Sequence, residues 1–187
     1  GSFAWAVPLN HQRARIGLLT EKKGTFYLNN FLKSTFKDRI KEQDPKILKK
    51  SIAHGSVRRS VSDRVLAVGE AAGQVKTTTG GGIYYGLLCS EIAAEVLKQS
   101  FRKGDLSFRQ LVKYENLWKR KLGGELRAGL WARRIMGKLS DQQIDRIFKF
   151  LREKAKVKEL MERKVKFDYH SGLISFALKL LKEFIRG

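Results

Sequence analysis

The segment Arg64 to Leu97, RVLAVGEAAGQVKTTTGGGIYYGLLCSEIAAEVL, constrains this chain more than any other stretch. It opens on the compact apolar run Arg64–Val68, which stops at Gly69. Such a run predicts a buried strand of a parallel sheet. A loop rich in Gly, Ala and Thr follows. A helix is expected next, from about Gly82 to Gln99, with Ile83, Leu87, Leu88, Ile92, Ala93 and Val96 on its apolar face. Residues just after a parallel strand lie at the carboxyl edge of the sheet, where open α/β folds bind ligands. Gly69 and Gly73 allow turns and a close backbone approach that a side chain would block. Glu70 sets a carboxylate at the strand end, suited to accept hydrogen bonds from a sugar-like hydroxyl. Gly80-Gly81-Gly82 leads into the helix, and a helix start offers unpaired N–H groups and a partial positive charge. Such an end suits a phosphate or the oxygen of an electron-rich ring.

The segment resembles the second flavin-binding motif of the geranylgeranyl reductase family, within the flavoprotein group typified by aromatic hydroxylases. The matching residues are Gly69-Glu70-Ala71-Ala72-Gly73 and Thr79-Gly80-Gly81-Gly82-Ile83. Glu70 stands where that family usually has Asp, and Thr77 where it usually has proline. The strand Phe3-Ala4-Trp5-Ala6-Val7-Pro8 is similar to the family's aromatic-x-Trp-x-x-Pro strand, which lines the substrate cavity. Arg15-Ile16-Gly17-Leu18, Tyr114-Glu115 and Trp118 extend the likeness, so that it covers Phe3 to about Leu126. The resemblance implies FAD as cofactor, with the acidic residue on a ribityl hydroxyl and the glycine-led helix start at the pyrimidine edge of the isoalloxazine. It implies an isoprenoid lipid as substrate, with Phe3, Trp5, Pro8, Tyr84 and Tyr85 as candidate cavity residues. The reaction implied is saturation of carbon–carbon double bonds by flavin hydride, and no catalytic general acid emerges. A monooxygenase of the same flavoprotein group is the first alternative. A non-enzymatic basic module that binds membrane or nucleic acid is the second.

The chain carries no Gly-x-Gly-x-x-Gly, the fingerprint that holds a dinucleotide pyrophosphate. The expectation is therefore a C-terminal part of such an enzyme, partnered by an N-terminal FAD-binding half. By this reading residues 1–104 form the substrate-sheet and flavin-binding portion and residues 105–187 a helical region. The fold class expected is α/β (α+β): a partial flavoprotein fold with short substrate-sheet strands, one flavin-sheet strand and a helical C-terminal region.

Local patterns fill in the rest. Phe3–Val7 and Arg15–Leu19 suit a hairpin with His11–Arg13 in its turn. Apolar spacing predicts a helix from Thr25 to Gln43, stopped by Asp44-Pro45, and a short helix or strand over Ile47–Ile52. Ser107 is placed to cap a helix to Leu122, interrupted by Gly123-Gly124 and resumed over Glu125–Leu139. Ser140 and Gln143 match a capping box that opens a helix over Asp141–Leu151. Lys154–Lys166 and the amphipathic Leu173–Ile185 are further helices, the first read as a solvated face and the second as packing on its own domain, with a basic membrane-facing patch as the alternative for each.

Composition narrows the partners. The chain has 39 Lys plus Arg against 18 Asp plus Glu, a formal net charge of +21, which favours an anionic partner or a heat-adapted charged surface. No zinc finger or RNA-binding aromatic motif accompanies the charge, which argues against nucleic acid. The single cysteine, Cys89, rules out an intrachain disulfide framework and suits a small apolar position on a helix. His11, His54 and His170 lack metal-ligand spacing. No run reaches membrane-span length and no signal peptide is visible, so the expected location is cytoplasmic, peripheral on the inner membrane face.

Overall fold

A computed structural model describes residues 3–41, 46–53, 55–153, 169–172 and 174–176. The helices expected over Lys154–Lys166 and Leu173–Ile185 lie outside these residues except at 174–176, which are helical. The chain divides into two compact units, Gly1–Ser51 and Ile52–Gly187.

The first unit contains the expected hairpin. β1 (Phe3–Pro8) and β2 (Ala14–Leu19) pair antiparallel with Phe3 opposite Leu19 and Pro8 opposite Ala14. Phe3 and Trp5 share one face by the two-residue period of a strand, their ring centroids 5.9 Å apart. The Trp5 ring lies over Gly17, where a Cβ would overlap it, so Gly17 leaves the room that the indole occupies. α1 (Gly24–Thr35) follows and is shorter than its periodicity predicts. A 3-10 turn over Lys37–Arg39 replaces its expected continuation, with Lys37 at a φ of 32°. Lys46–Ala53 adopts no regular structure, against the expectation of a helix or strand over Ile47–Ile52.

The second unit holds the core. β3 (Val61–Ser62) and β4 (Val65–Leu66) form a two-step antiparallel ladder around a turn at Asp63-Arg64. Arg64–Val68 is thus not a parallel strand among the described residues. The left-handed Arg64, at φ 59°, reverses the chain inside the run, so its nearest partner is its own preceding segment. α2 (Ile83–Lys103) and α3 (Phe108–Met136) pack against each other, and α3 packs against β3. Tyr85, Cys89, Ala93 and Val96 of α2 meet Leu111, Tyr114, Trp118, Leu122 and Leu126 of α3 in one buried cluster. Ile83 and Leu87, expected on the apolar face of α2, are exposed instead, at 82% and 67%. The burial of Tyr85 and Cys89 turns α2 so that Ile83 and Leu87 point away from α3.

α3 runs unbroken through Gly123-Gly124. Leu122 and Leu126 are both held in the core, and packing on either side overrides the low helix propensity of two glycines. Ser107 is the residue before α3, yet its side chain makes no cap bond. The cap comes from afar: Asp63 Oδ1 accepts the Phe108 N–H at 2.6 Å. α4 (Asp141–Glu153) opens on the expected capping box. Ser140 N–H donates to Gln143 Oε1 at 2.8 Å, and Gln143 N–H to Ser140 Oγ at 3.3 Å.

A polar network ties α3 to the segment before β3. Glu115 accepts hydrogen bonds from the Ser60 N–H and hydroxyl and from Lys119 Nζ. Trp118 Nε1 donates to Ser60 Oγ at 2.9 Å, and Lys119 Nζ also donates to the Arg58 carbonyl. Partial burial pushes the Glu115 pKa up. The hydrogen bonds from Lys119 and Ser60 outweigh it and leave the group below its ordinary value of 4.5. A depressed folded-state pKa gives stability above the unfolded pKa and loses it as pH falls through the folded one. Urea midpoints of the chain should therefore decline below about pH 4.5. Glu115→Gln should cost about 1–2 kcal/mol at neutral pH, where charge-assisted bonds become neutral ones, and flatten the acid decline. An unchanged acid decline in the variant would remove Glu115 from this role.

Candidate functional site

The candidate site is a glycine turn laid against the start of α2. Val68 is extended, and Gly69–Ala72 then forms a single 3-10 turn ended by Gly73 in the left-handed region. Gly69 also has a positive φ, 71°. The turn closes through its own backbone, with Gly73 N–H to Glu70 O and Gln74 N–H to Gly69 O, both 2.9 Å.

Gln74 fixes the turn from below. Its Oε1 accepts the Gly69 N–H at 2.7 Å, and its Nε2 donates to Tyr114 Oη at 2.8 Å. Tyr114 Oη in turn donates to the Ala67 carbonyl at 3.0 Å. Both side chains are fully buried. Burial pushes the Tyr114 phenol up to about 12, against the opposing hydrogen bond with Gln74, so it stays protonated and remains a donor at neutral pH. Sequence reasoning passed over Gln74. Its one signal was an amide directly after the glycine motif, inside a run of small and apolar residues.

The Thr-rich loop is closed by Lys76 N–H to Gly81 O at 2.8 Å and Gly80 N–H to Lys76 O at 2.7 Å. Thr77, at the position where a proline was expected, is buried. Its Oγ1 donates to the Leu126 carbonyl at 3.3 Å, and it fills the space that Gly129 leaves on α3. The threonine thus anchors the loop to α3 by a bond that proline has no donor to make. A Cβ on Gly82 would come 2.7 Å from Val75 Cγ1, so glycine is needed there for the loop to close on the helix.

α2 starts with Gly82 as its N-cap residue, no side-chain cap and no acidic residue in the first turn. Its positive end is therefore not neutralised by its own sequence. A Cβ on Gly86 would reach 3.9 Å from the Gly69 Cα, which places the glycine turn beside the first turn of the helix. The structure thus brings the Gly69–Ala72 turn against α2, with Gly69 beside Gly86. Thr79, Gly80 and Gly81 form the loop that precedes the helix. Tyr84 is 39% exposed, whereas Tyr85 is buried in the core. Phe3, Trp5 and Pro8 belong to the other unit. Cys89 is no nucleophile at neutral pH: burial, only partly offset by Lys121, pushes its thiol up to about 11.

A short C-terminal segment docks beside the loop. Thr78 Oγ1 and His170 Nδ1 are 3.0 Å apart. Glu125 accepts the N–H groups of His170 and Ser171, each at 2.9 Å, and the Ser171 hydroxyl. Tyr169 meets Tyr84 edge-on, with the hydroxyls 3.3 Å apart. Lys76, Tyr85, Glu125 and His170 enclose a void of about 10 Å³, the room of a single water, so no ligand-sized cavity opens there. Among the described residues no cluster of metal-ligating side chains forms, and no helix is long and apolar enough to cross a membrane.

No protein-family model matches the chain. The crystal structure of a geranylgeranyl bacteriochlorophyll reductase-like protein from Thermoplasma acidophilum superposes with a TM-score of 0.70 at 21% identity. The match covers 87% of this chain and 45% of that one. The fold is accordingly a partial flavoprotein fold of mixed helix and strand. Digeranylgeranylglycerophospholipid reductase 2 of Methanothermobacter thermautotrophicus is 31% identical over 91% of this chain. A digeranylgeranylglycerophospholipid reductase of Methanocaldococcus jannaschii is 35% identical over 82% of it. Over the matched region the chain is similar to these reductases, and it spans 46% and 40% of the length of the two relatives.

Proposed function

We propose that the chain is the C-terminal part of an FAD-dependent reductase that saturates double bonds of isoprenoid lipids. The observation that carries this reading is the contact between the Gly69–Gly73 turn and the uncapped first turn of α2. The residues present fit one end of the cofactor. Gly69 has open space where a Cβ would stand, so a ribityl chain can approach the backbone. Glu70, exposed beside it, would take a ribityl hydroxyl. The start of α2 would face the pyrimidine edge of the ring, where its partial charge favours a reduced, anionic flavin. Bound FAD would supply the hydride. This chain would hold and orient its ring end, with Ala71, Ala72, Thr79, Gly80, Gly81, Gly82 and Ile83 around it.

The fit covers the ribityl and ring end alone, since no dinucleotide fingerprint occurs in the sequence. Residues 1–104 would then supply the flavin and substrate contacts, with the exposed Tyr84 toward the lipid, whereas Tyr85 is held in the core. The reductase names of the relatives support the substrate class.

The chain alone should bind FAD more weakly than about 1 µM, because half the ligand's contacts would be missing. Joined to an N-terminal FAD-binding half, it should give a yellow protein that bleaches with dithionite and reoxidises when a polyprenyl lipid is added. Colourless protein after that restoration counts against any flavin reading. Tight binding by the chain alone would show instead that the site is complete in these 187 residues.

A further inference from the structure

We propose that the outward face of α3 rests on an anionic lipid bilayer. At about 100° per residue, Arg109, Lys113, Arg120, Arg127, Trp131 and Arg134 fall within about 60° of arc, opposite the buried line of Leu111, Tyr114, Trp118 and Leu122. All six are exposed, and Asn116 completes the row. The row extends over about 38 Å at 1.5 Å per residue.

No acidic residue interrupts it. The two acids of α3, Glu115 and Glu125, sit on its inner flanks, one bonded to Ser60 and Lys119 and the other to residues 170 and 171. A helix face that is merely solvated carries both signs, because (i, i+4) pairs of opposite charge stabilise it. α2 is of that kind: Glu91, Glu95 and Lys98 are interspersed on its exposed side. The α3 row instead accumulates like charge, which opposes folding unless an anionic surface offsets it.

Trp131 selects the kind of surface. It is 62% exposed, and it lies between Arg127 and Arg134. An indole on a line of arginines matches the headgroup region of a bilayer, which takes its apolar ring and its N–H together while the guanidiniums meet phosphates. Leu117, 38% exposed on the edge of the row, adds apolar area on the same side. One aromatic among six positions is too sparse for a base-stacking platform, where aromatics recur along the strand path. This inference stands apart from the flavin reading and shares no residue with it.

The test is sedimentation of the chain with vesicles of about one-third phosphatidylglycerol in phosphatidylcholine, and with pure phosphatidylcholine, at low and high salt. Binding is expected only to the anionic vesicles, weakened by salt, with a blue shift of tryptophan emission that Trp131→Phe abolishes. Joint substitution of Arg109, Arg120, Arg127 and Arg134 by Gln should weaken binding by about a hundredfold or more, each surface cation contributing about a factor of five. These side chains face solvent, so the helical circular dichroism should persist. A second variant neutralises as many cations elsewhere, Lys22, Lys33, Lys98 and Arg102 to Gln, and should bind within about twofold of the parent. An equal loss in both variants would reduce the effect to net charge and overturn the proposal. So would an absence of vesicle binding at low salt, or tighter binding to duplex DNA than to the anionic vesicles.

Discussion

Replacing Trp118 with alanine is expected to lower the stability of the second unit by about 3–5 kcal/mol, the usual cost of emptying a large aromatic site. Trp118 is completely buried and is the largest side chain in the core. It packs in the cluster that joins α2, α3 and β3. Its indole N–H also satisfies Ser60 Oγ, so the substitution removes packing and a buried hydrogen bond together. Domains of this size have total stabilities of about 5–15 kcal/mol, so a fifth or more of the margin is at stake. The melting temperature, followed by circular dichroism, should fall by about 10–20 °C. Trp118→Phe keeps most of the volume and loses the N–H, and should cost about 1–2 kcal/mol. A loss under about 1 kcal/mol for the alanine variant would mean that the core does not depend on this ring.

The second large effect is expected at Gly73. An alanine there faces two obstacles. Its φ of 67° is the left-handed region, which costs an L-residue about 1–2 kcal/mol. Its Cβ would also overlap the Gly55 carbonyl oxygen and come within 2.9 Å of the Ser56 Cα, and backbone cannot swing aside as a side chain can. The Val57 N–H to Ala72 O bond, 3.2 Å, holds the same two strips of chain together and would be strained as they part. The sum is about 3–5 kcal/mol or local unfolding of the glycine turn. Gly69→Ala is the matched control. Its φ is 71°, yet its Cβ would meet nothing within 4 Å, so it should cost only about 1–2 kcal/mol. Equal losses at the two positions in urea unfolding would show that conformational strain, not close packing, dominates at Gly73.

These two sites show what the sequence disclosed and what it hid. The hairpin, α2 and the capping box at Ser140 were legible because each rests on neighbours close in sequence. The two halves of the glycine motif were legible as a pair because glycine, a carboxylate and a helix start are rare in that order. The continuity of α3 was not, because Leu122 and Leu126 decide it through tertiary packing, and glycine propensity points the other way. The strand at Arg64–Val68 was misjudged for a similar reason. An apolar run predicts burial, but pairing depends on a left-handed turn at an arginine, which no periodicity reveals. Ile83 and Leu87 mislead in the same way: apolar residues of a helix identify a core face only when the rest of the face joins them.

The unbroken course of α3 has one more consequence. Tyr114 steadies the glycine turn through Gln74, the Leu126 carbonyl and Gly129 receive Thr77, and Glu125 grips the segment at 170–171. Three separate strips of chain thus take their positions from marks along a single ruler. A ruler tolerates repainting but not regraduation. Adding or deleting one residue between Tyr114 and Gly129 would swing every later mark by about 100° and shift it by about 1.5 Å. Divergence in this part of the chain is therefore expected to proceed by exchange of side chains at fixed length, and changes of length should gather beyond Met136, where α3 ends.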